Sequence, residues 1–304
     1  MVFHDGGERG PATAPRGRSG RPAGRQVRRV TLDAGGVRLS GLLSEPEEAA
    51  PRSVVVALHG AGMSAGYFHG QAHPDVSLLE LGARLGFTVL ALDRPGYGTS
   101  AVDLPHGQDV VEQAAALHAA LAWFSRRHET GAGFFVLAHS FGGELALAAA
   151  AEDSGSVLLA LDVSGCGHRY TVDAGGIAGH GGRRNWGALR FYPPGTFRAS
   201  EAIVAPVPER EAADLPHWPV RFPAIAARVR APVRFTFAEH EPWWCHDPPA
   251  VTDLRSHFVD CPRVSVEHLP DSGHNVSLGW TARAYHLGAL GFFEQCLATR
   301  RRPR

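Results

Sequence analysis

The sequence predicts an α/β fold: a mostly parallel sheet covered by helices on both faces, with one insertion in its second half. Three observations carry this. Short apolar runs alternate with stretches of helical spacing along most of the chain. The apolar runs are continuous, as in strands buried on both faces. The alternation stops once, over residues 165–230, and then resumes. The 304 residues, 44% hydrophobic and 20% charged, suit one large domain or a core domain with an inserted subdomain, and exclude collagen, coiled coil and wholesale disorder.

Taken in order, residues 26–33 and 37–43 read as two strands joined by a turn at Ala34-Gly35-Gly36. A strand follows over 53–58, with Val54, Val55 and Val56 consecutive. Residues 76–85 have helical spacing in Leu78, Leu79, Leu81 and Leu85, and Gly86 supplies the stop. Residues 87–92 are a buried strand, 109–124 a helix, 134–138 a strand, 143–151 an Ala-rich helix and 157–163 a strand. The interruption over 165–230 contains a Gly-rich stretch at 173–182, many prolines, and the aromatics Tyr170, Trp186, Phe191, Tyr192, Phe197, Trp218 and Phe222. A structureless loop of that length would be unusual, so it reads as an inserted cap or lid, partly helical. Strand 233–237, a helix around 250–259, strand 264–269 and a helix over 280–298 complete the chain.

The formal net charge is zero, from 30 basic and 30 acidic side chains. Residues 1–29 carry +5, the tail 300–304 adds +4, and the body is therefore −9. That body argues against nucleic acid and against polyanionic substrates. Every basic residue is Arg and none is Lys, which together with abundant Ala, Gly and Pro reflects a GC-rich, bacterial codon bias. The absence of Lys closes Schiff-base, pyridoxal phosphate and Walker A chemistry. Residues 1–24, rich in Arg, Gly and Pro, are expected to be a disordered arm. They lack the apolar stretch of a secretory signal, Arg28-Arg29 is followed by no such stretch, and no apolar run is long enough to span a membrane. With four scattered cysteines and no CxxC, the expectation is a reduced, cytoplasmic protein without a structural metal. His69 and His73 could be imagined as metal ligands, but no third ligand lies near them in sequence.

The chemistry is signalled at the end of strand 134–138, where His139-Ser140-Phe141-Gly142-Gly143 runs straight into a helix. Such a tight turn needs small residues on both sides of its apex, and Ala138 and Gly142 flank Ser140 at two residues' distance. A serine nucleophile also needs a base and an orienting acid. His274 follows the strand at 264–269, and Glu239 and Glu241 follow the strand at 233–237. The order Ser, acid, His differs from the two common protease triads. The glycines of 173–182 do not follow a strand in the G-x-G-x-x-G pattern, so no dinucleotide site, and no cofactor, is expected.

With His59-Gly60-Ala61-Gly62 after the third strand and Asp93-Arg94-Pro95-Gly96-Tyr97-Gly98-Thr99-Ser100 after the fourth, the chain from about residue 26 to 298 resembles the α/β-hydrolases, in their lid-bearing branches. The resemblance implies an eight-stranded, mostly parallel sheet. It also implies Ser140 as nucleophile, His274 as general base, Glu241 as triad acid, and an oxyanion hole from the backbone N–H groups of Ala61 and Phe141. Glu241 is preferred because Ala238-Glu239-His240-Glu241 aligns with the family's Gly-x-x-Asp, the departure being Glu for Asp; Glu239 is the runner-up, ahead of Asp162 and Asp271. His59 is expected to brace the oxyanion loop, Asp93–Ser100 to fix a sharp loop, and His139 to shape the elbow. Trp243 and Trp244 are core or pocket wall. The aromatics of the insertion are expected to pack the cap and to roof the pocket with apolar surface.

The implied activity is hydrolysis of an ester or thioester of a small-molecule acyl substrate, free or carrier-bound, with a hydrophobic or aromatic portion. The same triad also serves C–C bond hydrolysis, lyase chemistry and intramolecular acyl transfer such as cyclisation. A ligand-binding protein on this fold is disfavoured by the complete Ser/acid/His set.

Overall fold

A computed structural model describes residues 1–2, 27–47, 49–172 and 181–300. The arm over 1–24, beyond its first two residues, and most of the Gly-rich stretch at 173–182 lie outside the described residues, as do 301–304. Eight strands form one sheet: β1 (Arg28–Asp33), β2 (Arg38–Ser44), β3 (Val54–Leu58), β4 (Thr88–Leu92), β5 (Phe134–His139), β6 (Leu158–Ser164), β7 (Val233–His240) and β8 (Val264–Gly273). Their order is β1-β2-β4-β3-β5-β6-β7-β8. The β1–β2 hairpin is antiparallel and joins β4 antiparallel, while all pairings from β4 to β8 are parallel.

The continuous apolar runs serve two cores at once, because successive side chains of a strand point to opposite faces. In β3, Val54, Val56 and Leu58 pack into one core with α2 (Val110–Ser125) and α3 (Phe141–Glu152). Val55 and Ala57 pack into the other with α1 (Leu78–Arg84) and the C-terminal helix Ala282–Arg300. The helix starts are written locally. Ser77 caps α1 by accepting from the Glu80 N–H, and Asp109 caps α2 in a capping box with Glu112.

Two strands run longer than their hydropathy predicts. β7 reaches His240 and β8 reaches Gly273 because the two continue to pair beyond the rest of the sheet, with a register shift between Ala238 and His240. Glu239, His240 and Asp271 in this extension are exposed, so the apolar signal stops early while the ladder does not. Between β6 and β7 the described chain is a run of short helices, Gly181–Trp186, Thr196–Ser200, Glu209–Asp214 and Trp218–Ala226, joined by turns. The parallel strands β3 to β8 all end at one edge of the sheet, where open α/β sheets place their sites.

Candidate active site

At the β5–α3 junction, Ser140 has φ 53° and ψ −125°, a left-handed value rare outside glycine. Its N–H donates to the Ser164 carbonyl at 2.8 Å, and its carbonyl accepts from the Gly143 N–H at 2.7 Å, which pins the turn. Space explains the small neighbours. A Cβ on Gly142 would stand 2.3 Å from the Leu58 carbonyl oxygen, and one on Gly60 would stand 2.9 Å from the Ser140 Cβ. Ser140 occupies the N-cap position of α3 but makes no side-chain cap hydrogen bond, which leaves its hydroxyl available.

His274, immediately after β8, presents Nδ1 to both oxygens of Glu241, at 3.0 and 2.9 Å. Both side chains are buried, and Glu241 also accepts from the Trp243 N–H at 3.1 Å. The β7–β8 register shifts between Ala238 and His240, and the Glu241 N–H donates to the Ala238 carbonyl at 3.2 Å. None of the other three candidate acids pairs with His274. Glu239 is exposed and accepts from the Asp271 N–H at 2.8 Å. Asp162 is buried mid-strand between Arg234 and Tyr285, and Asp271 is an exposed residue of the β7–β8 extension with φ 49°.

Among the described residues, neither the Ala61 nor the Phe141 N–H donates to a protein acceptor. The loop that carries Ala61 is braced from behind. His59 Nδ1 donates to the Gly60 carbonyl at 2.8 Å, while its Nε2 accepts from the Arg94 N–H at 3.1 Å. Arg94 Nε donates to the His59 carbonyl at 2.8 Å, and its guanidinium grips both oxygens of Glu211, at 2.6 and 2.9 Å, without exposure of either side chain. Tyr97 joins the same network, donating to Glu211 at 2.6 Å and accepting from the Gly62 N–H at 3.0 Å. Asp93 accepts from the Ala65 N–H and from the Ser40 hydroxyl. The Asp93–Ser100 segment is therefore conformational, as expected, and also grips the helix Glu209–Asp214.

His139 stacks on Tyr67 with ring centroids 4.8 Å apart and lies 4.6 Å from the His274 ring, with Nδ1 at 3.1 Å from the Ser164 hydroxyl. Burial, with His274 close by, holds His139 well below the ordinary imidazole value. Burial and the Arg94 charge do the same to His59. Both are neutral frame residues. Gly165, at φ 55°, lies under both rings, since a Cβ there would be 2.8 Å from His274 Cε1 and 2.9 Å from His139 Cε1.

Ser140, His274 and Ala61 line one cavity of about 300 Å³ together with Met63, Tyr170, Trp243 and Trp244. Trp243 and Trp244 are both core and wall, buried yet facing the cavity. The insertion contributes Tyr170, Asn185, Val207, Ala212 and Leu215. Its other aromatics pack on each other and on the body, as in the Trp186, Tyr192 and Phe197 cluster and the Trp218–Phe222 pair. The insertion thus lines the cavity with Val207, Ala212 and Leu215, with Asn185 and with a single aromatic, Tyr170, while Trp243 and Trp244 come from the segment after β7. Glu144, one turn into α3, also lines the cavity, and no sequence signal marked it. A larger depression of about 470 Å³ opens at the opposite edge of the sheet, where Ala150, Arg230, Arg263 and Cys296 line it, but no histidine does.

His69 Nδ1 pairs with the Ser77 hydroxyl, and His73 Nδ1 accepts from the Asp75 N–H. Among the described residues one trio, His168, Asp253 and His257, brings ligand atoms within 4.8 Å of one another. It lies outside the cavity. Asp253 already pairs with His168 at 2.9 Å and has Arg169 at 3.9 Å, a cation where a metal would need none. All four cysteines are free thiols, and no described helix is long and apolar enough to cross a membrane.

The model of the alpha/beta hydrolase family matches residues 55–284, which span every element of the site. The chain belongs to the alpha/beta hydrolase family. Among solved structures, this hydrolase is similar to a thermostable carboxyl esterase from Bacillus coagulans, with TM-score 0.67 and 17% identity over 90% of this chain and 98% of the other. It is also similar to a thioesterase domain from the curacin biosynthetic pathway, with TM-score 0.60 and 14% identity over 87% and 99% of the two chains. A dienelactone hydrolase from Anabaena variabilis gives TM-score 0.54 and 18% identity over 89% and 98%. At these identities the likeness is one of fold. No curated protein matches this hydrolase by sequence.

Proposed function

We propose that this alpha/beta hydrolase is a serine hydrolase that cleaves an ester or thioester through an acyl-enzyme intermediate. One observation carries the reading: a strained Ser140 opens onto the same cavity as His274, whose Nδ1 is held by the buried carboxyl of Glu241. With Nδ1–H donated to Glu241, His274 keeps its lone pair on Nε2. It takes the Ser140 proton as Oγ attacks the substrate carbonyl carbon. The N–H groups of Ala61 and Phe141 receive the oxyanion, each such donor being worth on the order of 3 kcal/mol. Collapse breaks the bond to the leaving group, which departs with the proton from His274. Water then enters, gives a proton to His274 and attacks the acyl carbon, and Ser140 is released on taking that proton back.

The insertion over 165–230 acts in this reading as the cap. Its Val207, Ala212 and Leu215, opposite Trp243 and Trp244, support a compact acyl group with an apolar or aromatic portion, free or carrier-bound. Hydrolysis of p-nitrophenyl butyrate tests the proposal. Wild type should turn it over, and Ser140→Ala and His274→Ala should each lower kcat by roughly 10³-fold or more. Unchanged kcat in either variant would contradict it, and a folded wild type inert toward short esters would point instead to acyl transfer or C–C cleavage on the same triad.

A further inference from the structure

Among the described residues, five carboxyl side chains are buried: Glu144, Asp162, Glu211, Asp214 and Glu241. Four have a cationic or histidine partner. Asp162 pairs with Arg234, Glu211 with Arg94, Asp214 with Arg221 and Glu241 with His274. Glu144 is 2% exposed, and among the described residues its sole partner is the Tyr170 hydroxyl at 3.3 Å. That hydroxyl has one proton and a nearer acceptor, the Leu215 carbonyl at 3.1 Å. A buried carboxyl without a dedicated donor is costly, so a fold that merely needed bulk here would be more stable with an apolar side chain.

Glu144 shares its cavity with Ser140 and stands four residues along α3, about 6 Å of helix rise away. Tyr170, whose hydroxyl meets Glu144, stacks on Trp244 at 4.0 Å between centroids, and Trp243 lines the same cavity. The surrounding charges add to the acceptor character. The negative charges of Asp214 and Glu211 act on Glu144, and the nearby Arg94 is already engaged by both oxygens of Glu211. A carboxyl oxygen beside aromatic rings, with no cation in hydrogen-bond contact among the described residues, suits a cation that donates N–H bonds.

We infer that Glu144 is a specificity-determining residue, forming with Tyr170, Trp243 and Trp244 a subsite for a protonated amine carried by the substrate a few bonds from its scissile carbonyl. The substrate class is then an amine-bearing ester or thioester. This subsite rests on the serine-hydrolase reading for its purpose, though not for its detection. Burial, reinforced by Asp214, pushes the Glu144 carboxyl well above the usual range, so an ammonium that binds the carboxylate form there releases the carboxyl proton to solvent.

Direct binding of n-hexylammonium and of hexan-1-ol, followed by calorimetry at neutral pH and moderate salt, tests this with probes of equal length. Wild type should bind the ammonium at least tenfold more tightly than the alcohol, and Glu144→Gln should bring the two within about twofold. Equal binding of both probes by wild type would overturn the inference, whatever the variant does. So would a preference that survives in a folded Glu144→Gln protein, because the cation would then sit elsewhere on the acidic body. The comparison needs no turnover, so its failure is separable from failure of the hydrolase reading, which is scored by modification of Ser140.

Discussion

Ser140 holds a backbone conformation that typically costs a non-glycine residue about 1–3 kcal/mol, and the surrounding contacts impose it: Ser164 takes its N–H, and Leu58 leaves no room for a Cβ at position 142. That demand for small neighbours is what makes a nucleophile elbow readable in a sequence. His274 was readable for a related reason, standing just beyond the last strand. Preferring Glu241 to Glu239 rested on the family's Gly-x-x-Asp pattern, and the two side chains stand apart: Glu241 faces His274 from a buried position, while Glu239 accepts from the Asp271 N–H at the surface. Glu241→Gln should therefore lower kcat by roughly 10³–10⁴-fold, since an amide no longer fixes the required imidazole tautomer, whereas Glu239→Gln should stay within about twofold. Steady-state kinetics of the two variants check the order, and similar losses would leave the acid unassigned. Glu144 was not legible, because one acid in an Ala-rich helix reads as a solvent-facing residue until the cavity beside it is seen.

At the level of elements, the central strands β3 to β6 could be predicted from continuous apolar runs, because a parallel sheet buried on both faces writes its strands that way, whereas β1 and β2 were marked by the turn between them and the more exposed β8 by a shorter signal. The chain between β6 and β7 could not, since short helices joined by prolines carry no sustained period. What holds it to the body was equally hidden: Glu211 meets Arg94 across 117 positions of sequence. This pair is fully buried, and removing one partner strands the other charge. Glu211→Ala should destabilise the protein by about 3–5 kcal/mol, against less than about 0.5 kcal/mol for Glu209→Ala on the same helix, where the side chain is exposed. Denaturant unfolding of the two variants measures the contrast, and equal losses would show that the tether carries little.

For the molecule as a whole, buried titratable groups tilt stability in two directions. Burial holds His59 and His139 well below their ordinary value and His286 at about 3, so the unfolded chain binds more protons than the native one as pH falls below about 6.5, and stability is lost toward acid. Glu144 has the opposite sign. Burial raises its native carboxyl above the unfolded value of about 4.5, so its contribution is lost as pH rises from there toward the native value. Glu144→Gln should raise Tm at pH 8, with the gain shrinking as pH approaches 4.5; a gain independent of pH would place the effect in packing. The sequence conveyed the charge imbalance between the ends and the body, but burial, which sets these slopes, emerges only from the fold. The central claim is that Ser140 is the nucleophile of this site, and labelling with a fluorophosphonate followed by peptide mapping tests it most directly. One adduct on Ser140, absent in His274→Ala over the same interval, is the predicted result; an adduct on another residue, or none on folded wild type, would contradict the account.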